Sequence, residues 1–159
     1  MLLDAFARVS RTRDAQLVIL GNGPLQTELE ARAVHLGIAS RVRFEGYAAD
    51  VGAWMRQATV FALPSQWEGF PNVLLEALAA GCPVVSTDCS DAVSEVLDGG
   101  RLGYIVPVGD TTAMADALGA VLDGHMCFED AASHLARYDP SSIAARYLDI
   151  LDRAAQGAH

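Results

Sequence analysis

Four short runs in this chain are apolar at nearly every position: Leu17-Val18-Ile19-Leu20, Val60-Phe61-Ala62-Leu63, Pro83-Val84-Val85-Ser86 and Tyr104-Ile105-Val106-Pro107. A strand with one wet face alternates apolar and polar residues, so a run apolar on both faces must be covered on both. Between the runs lie stretches with apolar residues three and four apart, which is the spacing of a helix. Strands buried on both faces and alternating with helices imply a parallel sheet with helices on each side, a doubly wound α/β domain.

Turn residues mark the units. Leu17–Leu20 closes on Gly21-Asn22-Gly23-Pro24. A helix is predicted from Pro24 to Leu36, with Leu25, Leu29, Ala33 and Leu36 inward and Gly37 as its stop. Val42-Arg43-Phe44-Glu45 reads as a strand ending at Gly46, and Asp50 can cap a helix running to Ala58. Further helices are predicted over 71–80, 91–97, from Thr111 through Leu122, and from Ser141 to Ala155, the last with Ile143, Tyr147, Ile150 and Leu151 inward. The stretch from His125 to Asp139 has no clear period. The opening Met1-Leu2-Leu3 already lies on a helical stripe, with Phe6 and Val9, and no capping signal precedes it.

At 159 residues and 52% hydrophobic, the chain can bury one core, so residues 1–159 are read as a single domain. Its formal charge is −9 and it contains no lysine, which argues against a nucleic-acid partner. Cys82, Cys89 and Cys127 show no ligand spacing and are expected to be free thiols. His35, His125, His134 and His159 form no i, i+4 pair, so no metal site is expected. No run approaches the roughly 20 apolar residues of a membrane span, and a cytoplasmic location is expected.

In open parallel sheets, ligands bind beyond the carboxyl ends of the strands, so Gly21-Asn22-Gly23, Gly46-Tyr47, Pro64-Ser65 and Ser86-Thr87-Asp88 should line one crevice. The segment from Pro64 to Gly81 carries the most chemistry. Gly69 would let backbone approach a ligand, Pro71 would set the first helical turn, and amides from Phe70 to Val73 would face outward as an anion site. Glu76 lies one turn beyond Asn72 on the same face and could accept two hydroxyl hydrogen bonds, as a ribose would offer. Glu68 would face a group beyond the phosphates. The residues alone leave a plainer reading open, because a helix dipole favours a nearby Glu and Glu76 could be a surface residue. Trp54 and Met55 are expected to pack, and packing is also preferred for Trp67 over a place beside a sugar pocket. Ser65 lacks the partners and elbow of a hydrolase nucleophile and is expected to end a strand.

Glu68-Gly69-Phe70-Pro71-Asn72-Val73-Leu74-Leu75-Glu76-Ala77 resembles the E-x7-E segment of glycosyltransferase family four, retaining enzymes of the GT-B fold. Gly21-Asn22-Gly23-Pro24, Val42–Gly46, Gly81–Asp88 and Gly103–Pro107 resemble the same family's donor domain in order and spacing. The resemblance implies the Rossmann-like C-terminal half of a GT-B enzyme and a UDP- or GDP-sugar donor with no obligatory metal. It gives Glu76 the ribose, the amides of Phe70 to Val73 the diphosphate and sugar, Glu68 the transferred sugar, and the loop after Gly46 the base. The acceptor, a glycan or lipid-linked sugar, would be met through an N-terminal domain in the same or another chain, and the full-length protein could sit at the inner membrane face. An epimerase of similar fold lacks the Glu68 to Glu76 signature.

Departures from that family set further expectations. Its diphosphate-clamping Arg and Lys precede the helix that begins here at Met1, so donor binding is expected to be weak and transfer absent in these residues alone. Its first donor-domain strand would also be missing, so an uncovered apolar edge and self-association are expected. The alternative is a non-catalytic nucleotide-sugar-binding domain that needs a partner chain. Pro71-Asn72 resembles a subset associated with N-acetylated hexosamines and capsular or glycan assembly.

Overall fold

The computed structural model describes residues 1–125 and 129–156. The apolar runs become strands: β1 (Leu17–Leu20), β2 (Val42–Gly46), β3 (Phe61–Leu63), β4 (Val84–Thr87) and β5 (Tyr104–Val106). Helices α1 (Leu2–Val9), α2 (Gln26–His35), α3 (Val51–Gln57), α4 (Asn72–Ala79), α5 (Asp91–Val96) and α6 (Thr111–Leu122) alternate with them, and α7 (Ala132–Leu135) and α8 (Pro140–Gln156) follow. Asp50 caps α3 as expected, its carboxylate accepting from Ala53 N–H at 2.8 Å.

Every ladder is parallel. The sequence predicts one sheet, whereas the described residues form two, β1–β2 and β3–β4–β5. Leu17 pairs opposite Val42, Phe61 opposite Val84 and Val85 opposite Tyr104.

Helix α1 joins the two halves. Its Leu3, Phe6 and Ala7 pack in one cluster with Leu17, Ile19, Val42 and Phe44 of the β1–β2 half. Its Ala5 and Val9 belong to another, with Ala62, Val85, Val106 and Met114. Polar ties reinforce it: Asp4 pairs with Arg32 of α2, and Arg13 makes a bidentate contact to Asp123 at 2.8 and 2.6 Å. A third cluster, with Met55, Leu74, Ala77, Val84, Val93 and Val96, lies among α3, α4, α5 and β4. Val84 and Val85 therefore face different clusters, and β4 is buried at all its residues.

Three predicted details change. Helix α2 begins at Gln26, not Pro24; Leu25 and Leu29 are exposed, and Ala33 alone is buried in the helix. Trp67 is 77% exposed rather than packed. In α8, Tyr147, Ile150 and Leu151 are exposed, not inward. An apolar stripe records a preference for an apolar neighbour, and none of the described residues supplies one there. Met55 is buried and Trp54 half-buried, as expected. Cys82 and Cys89 are free thiols, burial pushing the Cys82 thiol up; Cys127 and His159 lie outside the described residues. No helix among the described residues is long and apolar enough to cross a membrane.

Candidate functional site

The loops leaving β1 and β2 meet. Gly21 N–H donates to Gly46 O at 2.6 Å in an isolated bridge, and both glycines have positive φ, +102° and +68°. The positive φ favours glycine at both positions, and a Cβ on Gly46 would also come within 3.0 Å of the Asn22 side-chain oxygen, which would have to shift. Gly23 and Tyr47 beside this junction are exposed, Tyr47 by 82%.

The loop between β3 and α4 is fixed from beneath. Thr87, fully buried at the end of β4, donates its hydroxyl to Ser65 O at 2.5 Å, with Leu63 O at 3.3 Å. Ser65, which does follow a strand end, donates its own hydroxyl to Glu68 Oε1 at 2.7 Å. A buried threonine thus holds the backbone of a serine, which holds a half-buried carboxylate. The second oxygen of Glu68 has no partner among the described residues.

Pro71 is expected in the first helical turn, but the structure puts it at the N-cap of α4, fully buried, with ψ at 72°. Its ring still fixes the entry, and its missing N–H removes one donor ahead of the helix. The amides from Phe70 to Val73 do not all face outward: Asn72 N–H turns back to Phe70 O at 2.9 Å. The N–H groups of Gly69, Phe70 and Val73 have no partner among the described residues, so they remain as donors at a helix start with no side-chain cap. A Cβ on Gly69 would meet nothing within 4 Å, so no neighbour in the chain demands glycine there. One turn on, Asn72 and Glu76 share the exposed face of α4 while Leu74, Ala77 and Leu78 fill the buried one. The Glu76 carboxylate has no hydrogen bond or ion pair among the described residues.

Sequence reasoning missed the wall behind this loop, because 125–139 shows no period. The Phe70 ring stands 6.1 Å from Tyr138, tilted by 49°, and Tyr138 stands 5.5 Å from His134. The Tyr138 hydroxyl donates to Glu95 Oε1 at 3.4 Å; burial, and then the Glu95 charge, push its pKa up. A cavity of about 250 Å³ opens beside Phe70 and Tyr138, with Glu95, Ile143, Arg137 and Arg146 in its lining. His134 is buried, its Nε2 without a partner among the described residues and its Nδ1 3.9 Å from Asp98.

The predicted site residues thus fall into two groups. Gly21, Gly23, Gly46 and Tyr47 cluster at the β1–β2 exit, and Ser65, Glu68, Gly69, Phe70, Pro71, Asn72, Val73 and Glu76 cluster at the start of α4. Among the described residues no hydrogen bond or ion pair joins the groups, and no set of three or more His, Cys, Asp and Glu is placed to hold a metal ion.

Comparison with known proteins gives this geometry a context. The sequence model described as "Glycosyl transferases group 1" matches residues 1–124. The phosphatidyl-myo-inositol mannosyltransferase of Mycobacterium leprae (strain TN) is 39% identical over 98% of this chain, which spans 42% of that protein's length. The lipopolysaccharide outer core galactosyltransferase WaaB, in its apo form, superposes with a TM-score of 0.82 at 27% identity, over 96% of this chain and 44% of WaaB. At 22% identity, HepE of Anabaena in complex with UDP shares the fold with a TM-score of 0.82, over 96% of this chain and 45% of HepE.

Proposed function

Because this chain belongs to the glycosyl transferases group 1 family, as a C-terminal GT-B domain, we propose that it binds a nucleoside-diphosphate sugar as donor for retaining hexosyl transfer. The observation that carries this reading is the start of α4, where unpaired amides, a carboxylate held by a serine, and an unpaired carboxylate one turn on share one loop and helix.

The N–H groups of Gly69, Phe70 and Val73 and the α4 dipole face the diphosphate. Asn72 and Glu76 meet it from the exposed side, Glu76 taking the ribose hydroxyls. Glu68, with one oxygen committed to Ser65, offers the other to the transferred sugar. Gly21, Gly23, Gly46 and Tyr47 border the base, which is uracil or guanine; UDP in the HepE complex favours uracil. Donors preset around the departing diphosphate stabilise its charge as the sugar bond breaks, so attack from the same face needs no protein nucleophile and no metal.

The acceptor, a glycan or a lipid-linked sugar, is held by polypeptide outside these residues, since the relatives are more than twice as long. Among the described residues, no arginine is hydrogen-bonded to the Glu68–Glu76 segment, and the chain has no lysine. Charge-assisted bonds contribute about 1.5–3 kcal/mol each, so each one lacking weakens donor binding by about one to two powers of ten.

Calorimetric titration of the 159-residue chain with UDP, GDP and their hexose conjugates tests the reading, with Glu76→Ala as the paired variant. We expect one base to bind and the variant to lose about tenfold or more in affinity. Unchanged affinity in Glu76→Ala, or no binding by a chain shown to be folded, removes the donor-site assignment.

A further inference from the structure

The free amides at the start of α4 are not all held alike. Val73 belongs to the helix itself, which Leu74, Ala77 and Leu78 anchor in the core. Gly69 and Phe70 stand in the loop ahead of it, between two fixed points: Ser65, bonded by Thr87, and the fully buried Pro71. Their N–H groups bond nothing among the described residues. Gly69 has no side chain to pack and the most backbone freedom to lose, and nothing lies within 4 Å of where its Cβ would be. The placing of these two donors therefore falls to the Phe70 side chain.

Phe70 is 44% exposed and stands outside the core cluster, so burial alone does not fix its ring. Its aromatic neighbour is Tyr138, at a centroid distance of 6.1 Å and a tilt of 49°, inside the range of about 4.5–7 Å over which aromatic rings attract. Tyr138 is itself tied down. It packs against the cluster that holds Leu74, Val84 and Val93, its hydroxyl donates to Glu95 Oε1 at 3.4 Å, and the buried His134 ring stands 5.5 Å away. The loop thus reaches the core through a ring that is anchored there. Tyr138 also lies beyond residues 1–124, the span that the group 1 sequence model matches, so the brace comes from a segment which that match does not reach.

We infer that Tyr138 is a positioning residue for the donor diphosphate: through the Phe70 ring it holds the Gly69 and Phe70 amides at the place where they meet the ligand, a role that rests on the reading of this loop as the donor site. Tyr138 does not touch the donor. Simple packing and positioning differ in what the loss of the ring does. Packing spreads its cost over α4 and its neighbours, whereas positioning loosens two loop amides and leaves the helix as it was.

Backbone 15N relaxation of the full chain without ligand reads the loop directly, and calorimetric titration with UDP and GDP reads the consequence. We expect order parameters at Gly69 and Phe70 of about 0.85 in the parent chain and below about 0.6 in Tyr138→Leu, with Leu74 to Leu78 unchanged. Nucleotide affinity should fall about two- to tenfold, the worth of one aromatic pair. Tyr138→Phe keeps the ring and should rescue both readouts. Phe70→Leu removes the same ring pair at an exposed position, so it must loosen the same two amides even where Tyr138→Leu fails to fold. In the Phe70→Leu background, Tyr138→Leu should add nothing to the loss of affinity. Loosening that spreads through α4, Tyr138→Phe as damaging as Tyr138→Leu, or additive losses in the double variant overturns the assignment. A parent chain that binds nucleotide but keeps a rigid loop in both leucine variants overturns this assignment alone; one that binds neither nucleotide overturns the donor-site reading beneath it.

Discussion

The half of the molecule built on β3, β4 and β5 and the half built on β1 and β2 start from similar sequence and reach different states. Val84 and Val85 in β4 are fully buried between two clusters. Val18 and Ile19 in β1, equally β-branched, are half-exposed, and the helix that follows buries only Ala33. Burial here is set by how many elements surround a strand, not by the hydrophobicity of the strand itself. The candidate site straddles the difference: its carboxylates stand on the thick half, Glu68 braced by Thr87 through Ser65, and its glycine junction stands on the thin one.

Truncating one core residue on each side breaks or sharpens that contrast most strongly. Leu74, fully buried in α4, should cost about 2–5 kcal/mol when changed to Ala, from lost transfer energy and the cavity left behind. Ile19→Ala removes a side chain already half in water and should cost roughly half as much. Urea unfolding of the two variants measures both losses; equal losses would mean that the thin half is packed as tightly as the thick one.

The strands were legible because continuous apolar runs bounded by Gly and Pro admit few alternatives, and Asp50 announced α3 by its capping chemistry. The Glu68 to Glu76 spacing by itself puts two carboxylates on one loop and helix. What could not be read were facts about neighbours. Nothing in Ile150 or Leu151 says whether an element lies against α8, and nothing in Leu25 or Trp67 says that its side chain is left exposed. Thr87 looked like one more crevice residue; its hydrogen bond to Ser65 O joins positions 22 apart, a distance no local pattern spans. Tyr138 sits behind Phe70 in a stretch with no period to read.

A hydroxyl on the thick half against an ion pair on the thin half gives a smaller test. Thr87→Val keeps the shape but leaves the Ser65 carbonyl without its buried donor, and should cost about 1–3 kcal/mol. It should also weaken donor binding several-fold, because Ser65 then ceases to hold Glu68 in place. Arg43→Ala removes an exposed pair with Glu45 on β2 and should change stability by about 0.5 kcal/mol or less, with binding unaltered. Chemical denaturation and donor titration of both variants decide it; if Arg43→Ala matches Thr87→Val in both, bracing is not confined to the thick half.

The smallest effect lies at the tie between α1 and the thin half. The hydrogen bond from Arg32 foremost, with the Arg32 charge and the nearby amino terminus, holds the Asp4 carboxyl below its ordinary range despite partial desolvation. A carboxyl with a depressed folded pKa adds stability in full above its unfolded value, about 3.9, and loses it as pH falls through the folded value. Both partners are part-exposed, at 30% and 47%, so screening keeps the contribution below about 1 kcal/mol. Asp4→Asn should therefore lower the urea midpoint slightly at pH 7, and the gap from the parent chain should close as pH drops below the ordinary carboxylate range and narrow in high salt. A gap that stays constant from neutral to acid pH would mean that α1 is held to α2 by the packing of Leu3, Phe6 and Ala33 alone, and that the thin half owes nothing to this charge pair.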